Sequence, residues 1–334
     1  MHTHFITTGE SLLVFRSSVP DQIEQHLAGQ SPDPIAVDPN DPSRVFVGTA
    51  GGGLWRSQDA GRSWERVGEG IPHPDIKAVA AAHKGGAQDS TVYAGTEPST
   101  ISRSVDGGET WQELPGLLEL DSADEWSFPP KPETHHVRWI ATDPHQAGRL
   151  WAAIEAGALV RSDDYGDTWS DRVSGGPFDT HTLATHPLAP GRLYSAAGDG
   201  YFASEDGADS WIRSMDGLRH HYLVSVAVDP ADPDLVVVSA SAGPYSAYWP
   251  DRAESFVYRK LASGPFELAM EGLPPAKGTA ASRLATVVDE PGVFYAANNH
   301  GLFRSDDAGG SWHAMPADWP AGALEPGVSA VVVI

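Results

Sequence analysis

The chain of 334 residues contains no cysteine, which removes disulfides, thiolate metal ligands and cysteine nucleophiles together and leaves its redox compartment open. No long apolar run accompanies the 40% hydrophobic composition, so a folded interior without a transmembrane helix is expected. The opening residues, MHTHFITTGE, lack a basic segment followed by an apolar one, and the cytoplasm is the expected compartment. Positive charge is scarce: 22 Lys and Arg face 45 Asp and Glu, for a formal net charge of -23. Such a surface repels phosphate backbones and anionic lipid, so neither nucleic acid nor a membrane is an expected partner. Three catalytic signatures are also missing: a G-x-S-x-G elbow, a G-x-x-x-x-G-K-[ST] phosphate loop and H-E-x-x-H. Gly51, Gly52 and Gly53 sit in a loop between strands instead of opening a helix.

What is present is a repeat. Ser162, Asp164, Gly166, Thr168 and Trp169 form the pattern S-x-D-x-G-x-[ST]-W. It returns as Ser57-Asp59-Gly61-Ser63-Trp64, as Ser104-Asp106-Gly108-Thr110-Trp111 and as Ser305-Asp307-Gly309-Ser311-Trp312. A fifth copy, Ser204-Asp206-Ser210-Trp211, has Ala208 at the glycine position and Gly207 beside it. An Asp that accepts turn amides, a Gly free to take positive φ and a Trp that re-enters the apolar layer describe a hairpin turn. The tryptophans recur at intervals of roughly 40–60 residues, and the gap before Trp312 holds two units, one with a degenerate turn.

Two apolar, β-type runs precede each turn, such as Ile35-Ala36-Val37 and Val45-Phe46-Val47. Four short strands per unit make the blade of a β-propeller, so the expected fold is all-β with seven blades over residues 1–334 as a single domain. Residues 5–28 read as an incomplete blade. Its missing innermost strand is expected from the C-terminal run Val328 to Ile334, closing the ring. Six complete units follow near 34–69, 74–115, 135–173, 179–217, 220–273 and 281–316. Asp-Pro pairs such as Asp38-Pro39 mark turns on the far face. Two segments break the repeat: 116–134, acidic and carrying Trp126 and Phe128, and 243–256, dense in aromatics including Trp249. Insertions in repeat proteins collect on the binding face.

By its repeated turn the chain resembles the Asp-box, or BNR-repeat, propellers, over essentially its whole length. That family includes sialidases, sortilin ectodomains, xyloglucanases and the photosystem II stability and assembly factor, so the resemblance implies a fold and leaves function open. A single seven-bladed ring is most similar to the assembly-factor branch and to uncharacterised bacterial members. The resemblance implies that Asp59, Asp106, Asp164, Asp206 and Asp307 are structural, on the face away from the ligand site. Family sialidases are six-bladed and hold a carboxylate with three arginines, the first in Arg-Ile-Pro. That motif is absent here, and Arg16 aligns with Arg56, Arg103, Arg161 and Arg304 as scaffold. Family xyloglucanases set their catalytic carboxylates between two rings, and one ring is expected here. Glycoside hydrolysis is on these grounds the least favoured reading.

Function is expected on the opposite face, where loops converge on the axis. Counting back seven from the repeat serine places Glu10, Ala50, Glu97 and Glu155 in one register. Glu97 and Glu155 are the candidate catalytic carboxylates, a pair whose separation would decide any glycosidase mechanism. Histidines also map to this face, and His73, His136, His181, His221 and His300 are candidate ligands for one divalent transition metal: zinc, iron, manganese or copper. Arg138 and Arg283 could hold an anionic group, and Glu10, Trp126, Tyr222 and Trp249 complete the expected ligand-binding set. Two functions follow. One is a His/Glu-lined axial pocket for a small polar ligand, with metal-assisted hydrolase- or lyase-like chemistry. The other is a non-catalytic scaffold that docks a protein through its aromatic insertions. A monomer is expected: an acidic surface and a closed ring are compatible with one, and no coiled-coil seam argues otherwise.

Overall fold

Runs such as Val45–Thr49 and Thr91–Thr96 are buried along their whole length, so both faces of these strands must be covered by neighbouring sheets. The computed structural model, which describes residues 2–19, 22–83, 90–249 and 251–334, shows how. Seven antiparallel sheets stand around one axis as the blades of a propeller. Their innermost strands are Ala330–Val333, Pro32–Val37, Ile76–Ala82, Val137–Thr142, Thr180–Thr185, Tyr222–Val228 and Arg283–Ala285, for blades one to seven. Among the described residues no helix is long and apolar enough to cross a membrane.

The first blade is built from both ends of the chain, as its missing strand required. Ala330–Val333 pairs with Thr3–Thr7 in the register His4 to Val333 through Thr7 to Ala330. The cores lie between blades. Phe46 and Leu54 of blade two pack with Ile76, Val92 and Ala94 of blade three, and Tyr194 and Tyr201 of blade five pack with Val236, Val238 and Tyr258 of blade six.

The five serine–aspartate turns share one hydrogen-bond net. In the first, Ser57 Oγ donates to Asp59 Oδ1 at 2.8 Å, and the Gly61 amide donates back to Ser57 Oγ at 2.8 Å. Ser63 then gives its amide to Oδ1 at 2.9 Å and its hydroxyl to Oδ2 at 2.6 Å. The other four copies repeat these bonds. The donated bonds hold Asp59, foremost from Ser63, and Asp106 down at about 2, the latter against its burial.

Each turn places two consecutive residues at positive φ, as at Ala60 (56°) and Gly61 (84°). The fifth turn keeps this conformation with Gly207 at 75° and Ala208 at 78°, so the shifted glycine satisfies only the first of the two positions. The carbonyl of the first position points to the preceding blade. There it accepts a repeat arginine: Arg16 to Ala60 at 2.9 Å, Arg56 to Gly107 at 2.8 Å, Arg103 to Tyr165 at 3.0 Å and Arg161 to Gly207 at 2.9 Å. These arginines therefore fasten one blade to the next.

Blade four departs from the four-stranded expectation. Its fourth strand is reduced to a bridge between Arg161 and Ser170. Beyond that bridge Asp171 turns away to accept the Ser122 amide (2.9 Å) and hydroxyl (2.6 Å), so the insertion 116–134 takes over the edge. Trp126 follows it into the core, 5% exposed, donating to Ser122 Oγ at 3.1 Å and packed with Ile154 and Ala158. The second insertion contains the short helix Pro244–Tyr248, and its expected limit at 256 reaches into the strand Ser255–Lys260; its Pro250 lies outside the described residues.

Substitution Gly61→Ala tests the turn. A Cβ there would overlap Phe5 Cε1 at a backbone of positive φ, so a loss of about 2 kcal/mol is expected in urea denaturation. An unchanged unfolding midpoint would show that the turn tolerates the side chain.

Candidate functional site

Five innermost strands carry a one-residue bulge at the same height. The register sets Asp33 and Pro34 against Gly48 alone in blade two, and skips Lys77 in blade three, Arg138 in blade four, His181 in blade five and Val224 in blade six. A bulged residue is released from the two-residue alternation and can be re-aimed. Arg283 opens the innermost strand of blade seven beside them. Lys77, Arg138 and Arg283 line an axial cavity of about 80 Å³ that all seven innermost strands or their flanks enclose.

Carboxylates meet these cations at the mouth. Glu155 Oε2 accepts His136 Nε2 at 2.8 Å and lies 3.3 Å from Arg138 Nε. Glu97 lies 3.8 Å from the other ring nitrogen of His136, accepts Lys131 at 3.1 Å and has Lys77 at 3.6 Å. His136 thus stands between the two glutamates, and Phe128 packs edge-on against it at 4.8 Å. Asp179 Oδ1 accepts the Ala156 amide at 2.9 Å. Its Oδ2 lies 3.5 Å from Nε2 of His181, which is fully buried.

A cleft of about 560 Å³ rises from Glu155 and Asp179 between blades four, five and six. Phe128, Pro129 and Pro130 from the first insertion form one wall, and Tyr222, Tyr245, Tyr248 and Trp249 form the other. Tyr245 and Trp249, at the rim, are 61% and 51% exposed and meet edge to face at 5.2 Å.

Electrostatics sort the charges. Burial resists ionisation of Glu155, but the His136 hydrogen bond and Arg138 outweigh it and hold the carboxyl at about 2. Glu97 is likewise lowered, its burial outweighed by Lys131 and Lys77. Burial would push His181 down, yet the Tyr248 oxygen, Asp179 and Glu155 around it raise it to about 9. Tyr248 is lowered against its own burial by His181, Arg283 and Arg138, while its partner Tyr222 is raised by burial and by Tyr248. Arg283 is lowered by burial foremost and sits over the Tyr248 ring at 5.6 Å.

The structure therefore brings together Glu97, Glu155, His136, Arg138, His181, Tyr222, Trp249 and Arg283 from the residues read in the sequence. It does not bring in the rest. Glu10 is exposed in a groove with Pro320 and Glu325, and Trp126 is a core residue. His73 lines a separate groove with Arg66 and Glu69. His221 and His300 spend Nε2 on the carbonyls of Leu218 (3.3 Å) and Gly278 (3.1 Å). Of the five histidines read as metal ligands, only His181 joins a group close enough to hold an ion among the described residues, with Glu155 and Asp179. Asp179, Lys77 and Tyr248 were missed. Aligning the innermost strands, in which Lys77, Arg138 and His181 share a height and Arg283 lies one residue beyond, would have exposed the cations.

No family model matches the chain. It is 25% identical over 277 residues, 75% of its length, to the xyloglucanase Xgh74A of Acetivibrio thermocellus, and spans 26% of that protein. The chain thus covers about a quarter of the curated relatives it matches. Among solved structures it resembles the GH74 enzyme of Niastella koreensis, with a TM-score of 0.71, 15% identity, and 93% of this chain and 51% of the other covered. It also resembles YCF48 bound to D1 peptide, with a TM-score of 0.57, 18% identity, and coverage of 84% and 81%. These likenesses establish the propeller. The curated relatives are named xyloglucanases, the class that the single ring here had placed last.

The raised His181 makes a signed prediction. Its stabilisation is complete below its ordinary value of 6.5 and is lost as pH rises through about 9. In chelator-treated buffer, the stability advantage of the native chain over His181→Gln in urea denaturation should shrink as pH rises over that interval. An advantage that is constant or grows with pH would contradict the assignment.

Proposed function

We propose that the chain binds a saccharide, or a similarly hydroxyl-rich ring compound, in the aromatic cleft and acts on it as a hydrolase. The observation that carries this reading is the meeting of ring faces and carboxylates in one cleft, with Phe128, Tyr222, Tyr248 and Trp249 above Glu155 and Asp179. Aromatic faces pack against the C–H faces of a sugar ring, and carboxylates accept its hydroxyls. The volume falls within the ~300–1,000 Å³ of small-ligand sites. Similarity to xyloglucanases supports the same ligand class, and the serine–aspartate turns support an Asp-box propeller. The walls come from this ring's own insertions, so the proposed site needs no second ring.

The exposed rim pair Tyr245 and Trp249 favours a second reading, a surface that docks a peptide without turning it over. Calorimetry and reducing-end release with a panel of xyloglucan, cello- and xylo-oligosaccharides separate the two. Binding is expected, weakened about 3–10-fold by Trp249→Ala, with reducing-end release falling about 100-fold or more in Glu155→Gln. Absence of both binding and release across the panel would sink the saccharide reading.

A further inference from the structure

The floor of the cleft contains an arrangement that binding a sugar does not by itself require. His181 is fully buried, and its Nδ1 lies 2.6 Å from the Leu223 carbonyl oxygen. A carbonyl only accepts, so Nδ1 carries a proton and Nε2 is the atom left to face the cleft floor. Nε2 is buried and makes no hydrogen bond; Asp179 Oδ2 stands nearest at 3.5 Å, and a cation bound there would displace the Nε2 proton of the metal-free imidazolium. An unpartnered buried imidazole nitrogen is costly unless something occupies the space before it.

Two carboxylates surround that space, and each is anchored by the oxygen turned away from it or by its outer partners. Asp179 Oδ1 is held by the Ala156 amide at 2.9 Å, leaving Oδ2 toward His181. Glu155 Oε2 is held by His136 and Arg138, leaving Oε1 without a hydrogen bond among the described residues. One ligand atom from each of Glu155, Asp179 and His181 lies within 4.8 Å of the others. The His181 Nε2 to Asp179 Oδ2 separation is 3.5 Å. Two ligands at ~2.1 Å from a tetrahedral cation stand about 3.4 Å apart, so this pair already has the spacing, and a side-chain rotation of Glu155 completes three ligands. The backbone carbonyl behind the imidazole, and the donors behind each carboxylate, are the outer partners that metal ligands require.

We propose that Glu155, Asp179 and His181 form a site for one small divalent transition-metal cation, of the Zn²⁺ or Mn²⁺ class. One nitrogen and two oxygens suit these ions, whereas Ca²⁺ prefers six to eight oxygens. Three protein ligands leave a coordination position open toward the 560 Å³ cleft, where the cation would meet a hydroxyl, a carbonyl or water. The proposal deepens the hydrolase reading by naming the group on the cleft floor, but the cation site stands or falls separately from the saccharide.

The test uses the metal alone. The full chain, stripped with chelator and desalted, is titrated calorimetrically with ZnCl₂, MnCl₂ and CaCl₂ in separate runs. One equivalent of Zn²⁺ or Mn²⁺ is expected, with Ca²⁺ at least ~10-fold weaker. Asp179→Asn and His181→Gln should each lower the Zn²⁺ affinity about 30-fold or more, while His73→Gln and His300→Gln leave it unchanged. Because His181 is buried and its replacement risks the fold, electron spin echo spectra of the unsubstituted chain with Mn²⁺ and ¹⁵N-histidine give a second readout. Coupling to one histidine nitrogen is expected. No stoichiometric binding by the native chain, binding retained in both ligand variants, or no nitrogen coupling would each overturn the site. Saccharide binding by the stripped chain that persists alongside such a result would leave the cleft reading standing.

Discussion

Ring closure is the constraint on which everything else rests. Seven sheets can share one axis only if the last innermost strand finds the first blade, and Ala330–Val333 does so by pairing with Thr3–Thr7. Without that pairing the first blade would lack its axial strand, and the cavity wall that Ala330, Val331 and Val332 supply would be missing. The arginine bonds to the turn carbonyls extend the same logic around the ring, since Arg16, Arg56, Arg103 and Arg161 each join two blades. Apolar burial between blades supplies the driving force, while these directional bonds set the angle between neighbours.

Closure also explains why polar groups gather where they do. The bulges at Lys77, Arg138 and His181 occur at one height on converging strands, so their cationic side chains crowd the axis. Crowded cations in a partly buried mouth need anions, and Glu97, Glu155 and Asp179 supply them from neighbouring loops. The outcome is a floor of carboxylates with fixed outer partners, a preorganised polar surface. The two insertions then raise aromatic walls on one side of the axis, over blades four to six. The candidate site is consequently off-centre, and it belongs to three blades more than to the ring as a whole.

Likeness to the xyloglucanases bears on the cleft in a limited way, because the chain spans about a quarter of those proteins. What this ring offers without a second one is a cleft walled by its own segments, with Phe128 opposite Tyr222 and Tyr248. The Glu97 and Glu155 pair read from the repeat register is not arranged as an acid with a base. Both carboxyls are held below their ordinary range by cations and by His136, and Glu97 faces Lys77 and Lys131. Within the cleft, Asp179 is the carboxylate that accompanies Glu155.

Sequence alone determined the blade count, the closing strand and the turns, because each rests on local chemistry repeated at a fixed period. The Ser57, Asp59, Gly61 and Ser63 net closes within a few residues and is legible wherever its pattern recurs. Register also found Glu97 and Glu155, since it reports height along a blade. It does not report direction around the axis or the partner a side chain meets. For that reason His221 and His300 went to backbone carbonyls, Glu10 to an outer groove and Trp126 into the core, while Asp179 and Tyr248 were passed over. Only the tertiary structure decided that His181, turned by its bulge and fixed by the Leu223 carbonyl, faces Asp179 and Glu155. That convergence joins residues from three strand-loop segments, and its geometry depends on how adjacent blades pack, which no single repeat encodes.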